Sequence, residues 1–241
     1  MRNLLHSLGE GLLSLFYPPH CTLCQRETAA GVHLCAPCAE GAKRIEAPFC
    51  QRCSQPFDGA ITGTFTCSNC GDRRFHFDCA VAPYLAKGPV REFVHRFKYN
   101  KQYHLRHQLA EWAAAALEDD RLRTPAFDAL VPVPLHATRQ RERTFNQAEA
   151  IARELSRRAK VPMWRALCRT RYTTTQTRLD REERMENLHG AFRVRQPSLV
   201  LDRHLILVDD VFTTGSTVEE CARALRAAGA ASVRALTVAR G

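Results

Sequence analysis

Two groups of residues in this 241-residue chain are spaced for chemistry. The first is a set of four CxxC pairs: Cys21 and Cys24, Cys35 and Cys38, Cys50 and Cys53, Cys67 and Cys70. A CxxC turn aims two thiolates at one point, and two such turns complete a tetrahedral four-cysteine zinc site. Eight cysteines therefore predict two zinc ions. The simplest grouping puts Cys21, Cys24, Cys35 and Cys38 on one ion and Cys50, Cys53, Cys67 and Cys70 on the other, though spacing alone leaves an interleaved pairing open. Disulfides would need an oxidising compartment. A redox CxxC is normally single and precedes a helix in a thioredoxin-like pattern, which is absent here. Cys79, Cys168 and Cys221 lack partners at ligand spacing and read as buried thiols.

The second group is "LILVDDVFTTGST", residues 205–217. Asp209 and Asp210 stand side by side at the end of an apolar run, where they must repel, and hydroxyls follow at once. A run such as "LILV" reads as a central parallel strand, and open α/β sheets bind ligands at the carboxyl ends of their strands. The turn Thr213, Thr214, Gly215, Ser216, Thr217 then enters a helix N-terminus, whose free N–H groups and dipole attract an anion. A ligand that joins a phosphate to a diol suits both halves. Hydroxyls and amides would hold the phosphate, and carboxylates would accept from the diol.

The elements that must position these groups follow from the hydrophobic pattern. After Cys79, "AVAPYL" (80–85) and "FDALVPVP" (127–134) read as strands, 89–98 as a short helix and 105–120 as a single longer one. Residues 145–160 form an amphipathic helix with Ala148, Ile151, Ala152 and Leu155 on one face. A strand at "HLILVDDV", a helix over 216–229 closed by Gly229, and a strand "SVRALTVAR" complete the chain. Strands alternating with helices predict an α/β fold with a doubly wound parallel sheet over 80–241. Residues 21–79 form the small cysteine module before it. Residues 1–20 have apolar positions at helical spacing and end at Pro18-Pro19, which predicts an amphipathic helix rather than a signal peptide. No apolar run approaches membrane-spanning length, so no membrane insertion and a cytoplasmic chain are expected.

Charge separates the two parts. Residues 1–80 hold seven basic and seven acidic side chains, and the rest of the chain carries the whole formal +10. Residues 136–184 alone hold 13 basic against six acidic. Each four-thiolate zinc site adds negative charge, so the cysteine module is poorly suited to gripping phosphates unaided. Any polyanion should meet the basic segment instead.

The stretch 205–217 resembles the phosphoribosyl pyrophosphate (PRPP) signature of type I phosphoribosyltransferases. With "VPVPLHATRQRERTFNQAEAIAREL" (131–155), "TTTQTRLDREERMENLHGAF" (173–192), "FKYNKQYHLRHQLA" (97–110) and the four CxxC pairs, the whole chain resembles the ComF family of competence-associated proteins. The resemblance implies a type I phosphoribosyltransferase sheet behind a double zinc ribbon. It implies that Asp209 and Asp210 hold the ribose hydroxyls near the magnesium that PRPP carries, and that Thr213 to Thr217 cradle the 5′-phosphate. A loop at "PLHATRQRER" would bind pyrophosphate, with Arg139, Arg141 and Arg143 as candidates and Arg143 foremost. The segment 170–187 reads as a lid whose Arg178, Arg181 and Arg184 would screen the leaving group. Thr144 stands where the family usually has glycine, with little consequence expected.

Two functions are consistent with these residues. One is transfer of a phosphoribosyl group from Mg·PRPP to a nitrogen nucleophile. The other is a non-catalytic, zinc-containing protein that senses PRPP or handles single-stranded DNA, alongside competence helicase machinery.

Overall fold

The computed structural model describes residues 19–171 and 187–241. The helix expected over 1–20 lies outside the described residues except for its last two positions. The expected lid residues Arg178, Arg181 and Arg184 lie outside them too.

In chain order the elements are α1 (Ala36–Glu40), α2 (Ser68–Gly71), β1 (Ala80–Val81), β2 (Tyr84–Leu85), α3 (Gly88–Tyr99), α4 (Arg106–Ala114), α5 (Asp120–Arg123), β3 (Ala129–Pro132), α6 (Ala137–Arg143), α7 (Gln147–Ala159), β4 (Leu167–Arg169), β5 (Phe192–Val194), α8 (Pro197–Val200), β6 (His204–Phe212), α9 (Ser216–Ala227) and β7 (Ser232–Arg240). The main sheet runs β1-β7-β6-β3, with β2 continuing along the β1 edge of β7, and every pairing in it is parallel. β4 and β5 form a separate antiparallel pair.

The central strands are apolar on both faces, as a sheet covered on both sides requires. Ile206 and Val208 of β6 join Leu236, Val238 and Leu130 beneath α3, α4 and α7. Leu205 and Leu207 point the other way and join Val233, Ala235 and Val131 beneath α9. The cysteine module covers both faces as well. Cys21, Leu34 and Cys35 belong to the first cluster, while Cys50, Cys53, Cys67, Cys70 and Phe77 belong to the second.

Three elements differ from the pattern expected of the sequence. The strand over 80–85 is split at Ala82-Pro83, because proline has no N–H to give the ladder. The helix expected over 105–120 ends at Ala114 and tightens into a 3₁₀ turn over Ala115–Glu118. Asp119 then starts α5 afresh, its carboxylate accepting from the backbone N–H of Arg121 at 3.0 Å. The loop expected at "PLHATRQRER" is largely α6, seven residues capped by His136, whose Nδ1 accepts from the N–H of Thr138 at 3.3 Å.

Candidate functional site

β6 delivers Asp209 and Asp210 to the carboxyl edge of the sheet, and α9 begins four residues after the strand. The turn between them needs glycine at Gly215 for two reasons. Its φ is +81°, and a Cβ there would lie 2.5 Å from the ring of Phe212. Gly215 thus packs inward, while Thr213, Thr214, Ser216 and Thr217 line a cavity of about 470 Å³. The hydroxyls of Thr214 and Ser216 lie 2.9 Å apart. Arg240 of β7 braces the turn from behind, donating to the carbonyls of Phe212 at 3.1 Å and Thr213 at 2.7 Å.

The same cavity is lined by Asp209, Asp210, Arg139 and Arg143, so the structure brings these sequence candidates together. Arg141 is not among the lining residues. Arg143 donates to Gln147 Oε1 at 3.0 Å, and its guanidinium lies 5.2 Å from the Tyr99 ring centre. Asn146 caps α7 and also donates through Nδ2 to the Val133 carbonyl at 3.0 Å, tying the "TFNQA" segment to the end of β3. Thr144, between α6 and α7, has φ +70°. A β-branched residue there is strained, which is the physical reason glycine suits the position.

The carboxylate pair is electrostatically loaded. Burial first, then the charge of Asp210, pushes the Asp209 carboxyl up to about 7, against the opposing pull of Lys98 and Arg143. The N–H of Asp210 donates to Asp209 Oδ1 at 2.9 Å. Asp210 itself is paired with Lys98, whose Nζ lies 2.7 Å from its Oδ1. Sequence reasoning missed Lys98. Val90, Phe93, Val94 and Phe97 give α3 its buried stripe. Lys98, four residues after Val94, extends that stripe to the cavity, and a cation at an apolar-face position was the available signal. Arg91, Val94 and Lys98 all line the cavity from this helix, as do Arg169 and Asn187 from elsewhere.

The eight cysteines form two quartets in chain order, each with its sulfur atoms within 4.8 Å of one another. This grouping is the simple one, and the interleaved pairing is not what the structure shows. Within the quartets, Cys24 and Cys35 sulfurs lie 3.5 Å apart and those of Cys53 and Cys67 3.7 Å apart. Such crowding favours a dication. The Cys50 thiol is driven down to about 4, chiefly by a hydrogen bond with the Cys53 thiol. Four soft sulfurs converging on one point fit a tetrahedral zinc ion, which would hold each ribbon closed. Of the other cysteines, Cys79 and Cys221 are buried and Cys168 is half-buried.

The two ribbons repeat one local design. Cys21 and Cys50 each take part in a tight turn, with Gln25 N–H donating to the Cys21 carbonyl and Ser54 N–H to the Cys50 carbonyl. The residue after each first CxxC is left-handed, Gln25 at φ 61° and Ser54 at φ 57°. The second CxxC of each quartet opens a helical turn, α1 with Cys35 as its cap and α2 with Cys67.

The second ribbon docks on α9. The His76 N–H donates to both carboxylate oxygens of Glu219, at 3.2 and 3.0 Å, and the His76 ring lies 2.6 Å from Glu219 Oε1. Phe77 meets the Phe212 ring edge-on at 5.9 Å. The first ribbon docks instead on α3, where Arg96 donates to the Thr22 carbonyl. Leu23 and Cys38 pack against the same core as Phe93 and Phe97.

A pair of four-sulfur ribbons clamped onto a parallel sheet, with an acid pair and hydroxyl turn at its carboxyl edge, defines a zinc-ribbon protein with a phosphoribosyltransferase-type domain. The family comparisons agree with this. The double zinc ribbon domain matches residues 12–73, and the phosphoribosyl transferase domain matches residues 146–241. DNA utilization protein YhgH of Escherichia coli K12 is 32% identical over 225 residues, covering 91% of this chain and 96% of that protein. Competence protein F of Haemophilus influenzae is 30% identical, over 86% of this chain and 90% of its own. Competence protein ComFC of Bacillus subtilis is 35% identical over 46% of this chain and 44% of its own. The chain belongs to the ComF family. Among the described residues, no helix is long and apolar enough to cross a membrane.

Proposed function

We propose that this chain binds PRPP together with magnesium in the cavity at the end of β6, and that it transfers the phosphoribosyl group to a nitrogen nucleophile. The observation that carries this reading is the convergence of two unlike recognition surfaces in one cavity. Asp209 and Asp210 line it from the end of β6, and Thr213, Thr214, Ser216 and Thr217 line it from the turn that enters α9. Carboxylates accept from vicinal hydroxyls, and hydroxyls with helix N–H groups donate to phosphate. The set also explains how a mutually repelling acid pair, Asp210 buried and Asp209 half-buried, is accommodated: its repulsion is relieved by donors that a ribose supplies.

In this reading Arg139 and Arg143 neutralise the pyrophosphate as the bond from its oxygen to the anomeric carbon breaks. Asp209 and Asp210 fix the ribose so that the nucleophile attacks from the opposite side. Positioning and charge then supply the catalysis. Magnesium would shield the pyrophosphate oxygens, and an all-oxygen surrounding of carboxylates and hydroxyls suits so hard an ion. The lid role of Arg178, Arg181 and Arg184 is part of the proposal. So is the division into ribbon module and catalytic domain near residue 80.

A second reading rests on charge and on the names of the relatives. The 13 basic residues against six acidic over 136–184, and the competence and DNA-utilization names of similar proteins, support a PRPP-sensing or single-stranded-DNA-handling role with little turnover. Calorimetric titration with Mg·PRPP, followed by pyrophosphate-release assays with a panel of bases, separates the two. Binding with release that depends on the base supports transfer. Binding without release for any base supports sensing. No binding removes transfer and PRPP sensing and leaves only the DNA-handling role.

A further inference from the structure

We infer that Lys98 is a positioning residue of the ribose end of this pocket, holding Asp210 as the acceptor for the sugar hydroxyls. This rests on the PRPP reading above and assigns to it a residue outside the phosphate turn and the arginine segment.

Three observations carry it. Lys98 Nζ sits 2.7 Å from Asp210 Oδ1, with the lysine side chain 20% exposed and the aspartate side chain 8%. Two adjacent carboxylates in so enclosed a place repel each other, and a resident cation is the direct remedy. The lysine is also held firmly. Phe93 and Phe97 of the same helix are fully buried, Phe97 packs on Phe145 at 4.9 Å, and Arg96 ties the helix to the first ribbon. Finally, an ammonium group has three donors and Asp210 uses one. Lys98 lines the cavity itself, so it faces an incoming ligand as well as the acid.

A cation that orients Asp210 serves the ribose, whereas Arg139 and Arg143 come from α6 and serve the pyrophosphate in the reading above. The two ends can therefore be tested apart, using ribose 5-phosphate and inorganic pyrophosphate as separate probes on the full chain with magnesium. In Lys98→Met the affinity for ribose 5-phosphate should fall at least about tenfold, as expected for losing a charge-assisted contact. Affinity for pyrophosphate should change less than about threefold by the same scale. Lys98→Arg should recover part of the ribose 5-phosphate affinity.

Removing one partner of a buried ion pair costs stability, so Lys98→Gln, which keeps a donor, serves where the methionine variant does not fold. An unchanged ribose 5-phosphate affinity in either variant overturns the assignment. So does an equal loss for both probes, which would make Lys98 a general structural support. A parent chain that binds neither PRPP nor ribose 5-phosphate overturns the underlying reading, and the assignment with it.

Discussion

The two zinc ribbons have the same local fold and different surroundings. In the first, Cys24 is exposed and Cys38 half-buried; in the second, all four cysteines are buried. The first lies against α3, which carries Lys98, and the second against α9 and the hydroxyl turn before it. Identical knuckles have thus been put to two uses, one beneath each wall of the same pocket. The cost of breaking a ribbon should follow what it supports more than how it binds metal. The module shares its core with the sheet, each ribbon contributing to the cluster on its own face.

The largest difference should appear on removing cysteines. Cys50→Ser with Cys53→Ser should leave the chain insoluble or unfolded, since structural zinc contributes folding free energy outright and this quartet is sealed in the core. Cys21→Ser with Cys24→Ser should give a folded protein of lower melting temperature that retains one zinc. The parent should carry about two zinc ions by elemental analysis. A chelator should remove the metal in two phases, the faster from the ribbon with the exposed Cys24. Equal tolerance of the two double variants would break the comparison.

A similar contrast should follow from truncating one apolar anchor per ribbon. Phe77 is 1% exposed and packs between Phe75 at 4.8 Å and Phe212 at 5.9 Å. Phe77→Ala should cost about 3–5 kcal/mol. It should also weaken phosphate binding, because Phe212 is the ring on which Gly215 rests. Leu34→Ala on the first ribbon should cost about 2–3 kcal/mol and leave phosphate affinity intact. Denaturant melts and titration with ribose 5-phosphate read both effects.

Between the two walls stand Asp209 and Asp210, and here the sequence was most informative. An apolar run, two acids and a hydroxyl turn have few structural uses, and β6, α9 and β7 lie within two residues of their expected bounds. The quartets were equally legible, because a ligand spacing is a local property. What could not be read was long-range. Lys98 reaches Asp210 across 112 positions of sequence, and no local pattern encodes that meeting. Nor could the docking of each ribbon on a different face be read, since it depends on which surfaces are left open once the helices have packed. The arginine segment was misjudged locally: charged residues that are good helix formers became α6 once His136 capped them.

The acid pair yields a pH prediction whose sign can be worked out. In the fold Asp209 titrates near 7, raised chiefly by burial and by Asp210, whereas in the unfolded chain it titrates near the usual ~3.9. The folded state therefore holds a proton that the unfolded state releases. Stability from this group is present at low pH and is lost as pH rises from about 4 to about 7. Asp209→Asn should abolish that loss, melting above the parent at pH 8 and closer to it at pH 5, while binding ribose 5-phosphate more weakly. A variant that is less stable than the parent at pH 8 would show that the pair is not held under strain.

The smallest effect, and the finest comparison, concerns the left-handed residue that follows the first CxxC of each ribbon. Gln25 and Ser54 occupy equivalent turns at nearly the same φ, so backbone strain alone predicts that glycine would relieve both by about 1 kcal/mol. Their side chains decide otherwise. Gln25 is exposed, and Gln25→Gly should therefore be neutral or raise stability by up to about 1 kcal/mol, less what the freer unfolded chain takes back. Ser54 is 1% exposed. Its hydroxyl donates to the Ala80 carbonyl at 3.0 Å, accepts from the Ala82 N–H at 3.3 Å, and takes a longer contact of 3.4 Å from Arg121. Ser54→Gly leaves those buried groups without their partner, at a cost of about 1–3 kcal/mol that outweighs the relief of strain. Paired denaturant titrations should move in opposite directions, or at least differ by about 1–2 kcal/mol, the second ribbon always the loser. Equal shifts would mean that the turn matters and its docking does not. The hydrogen bonds of Ser54 to Ala80 and Ala82 would then be incidental to how the second ribbon is held.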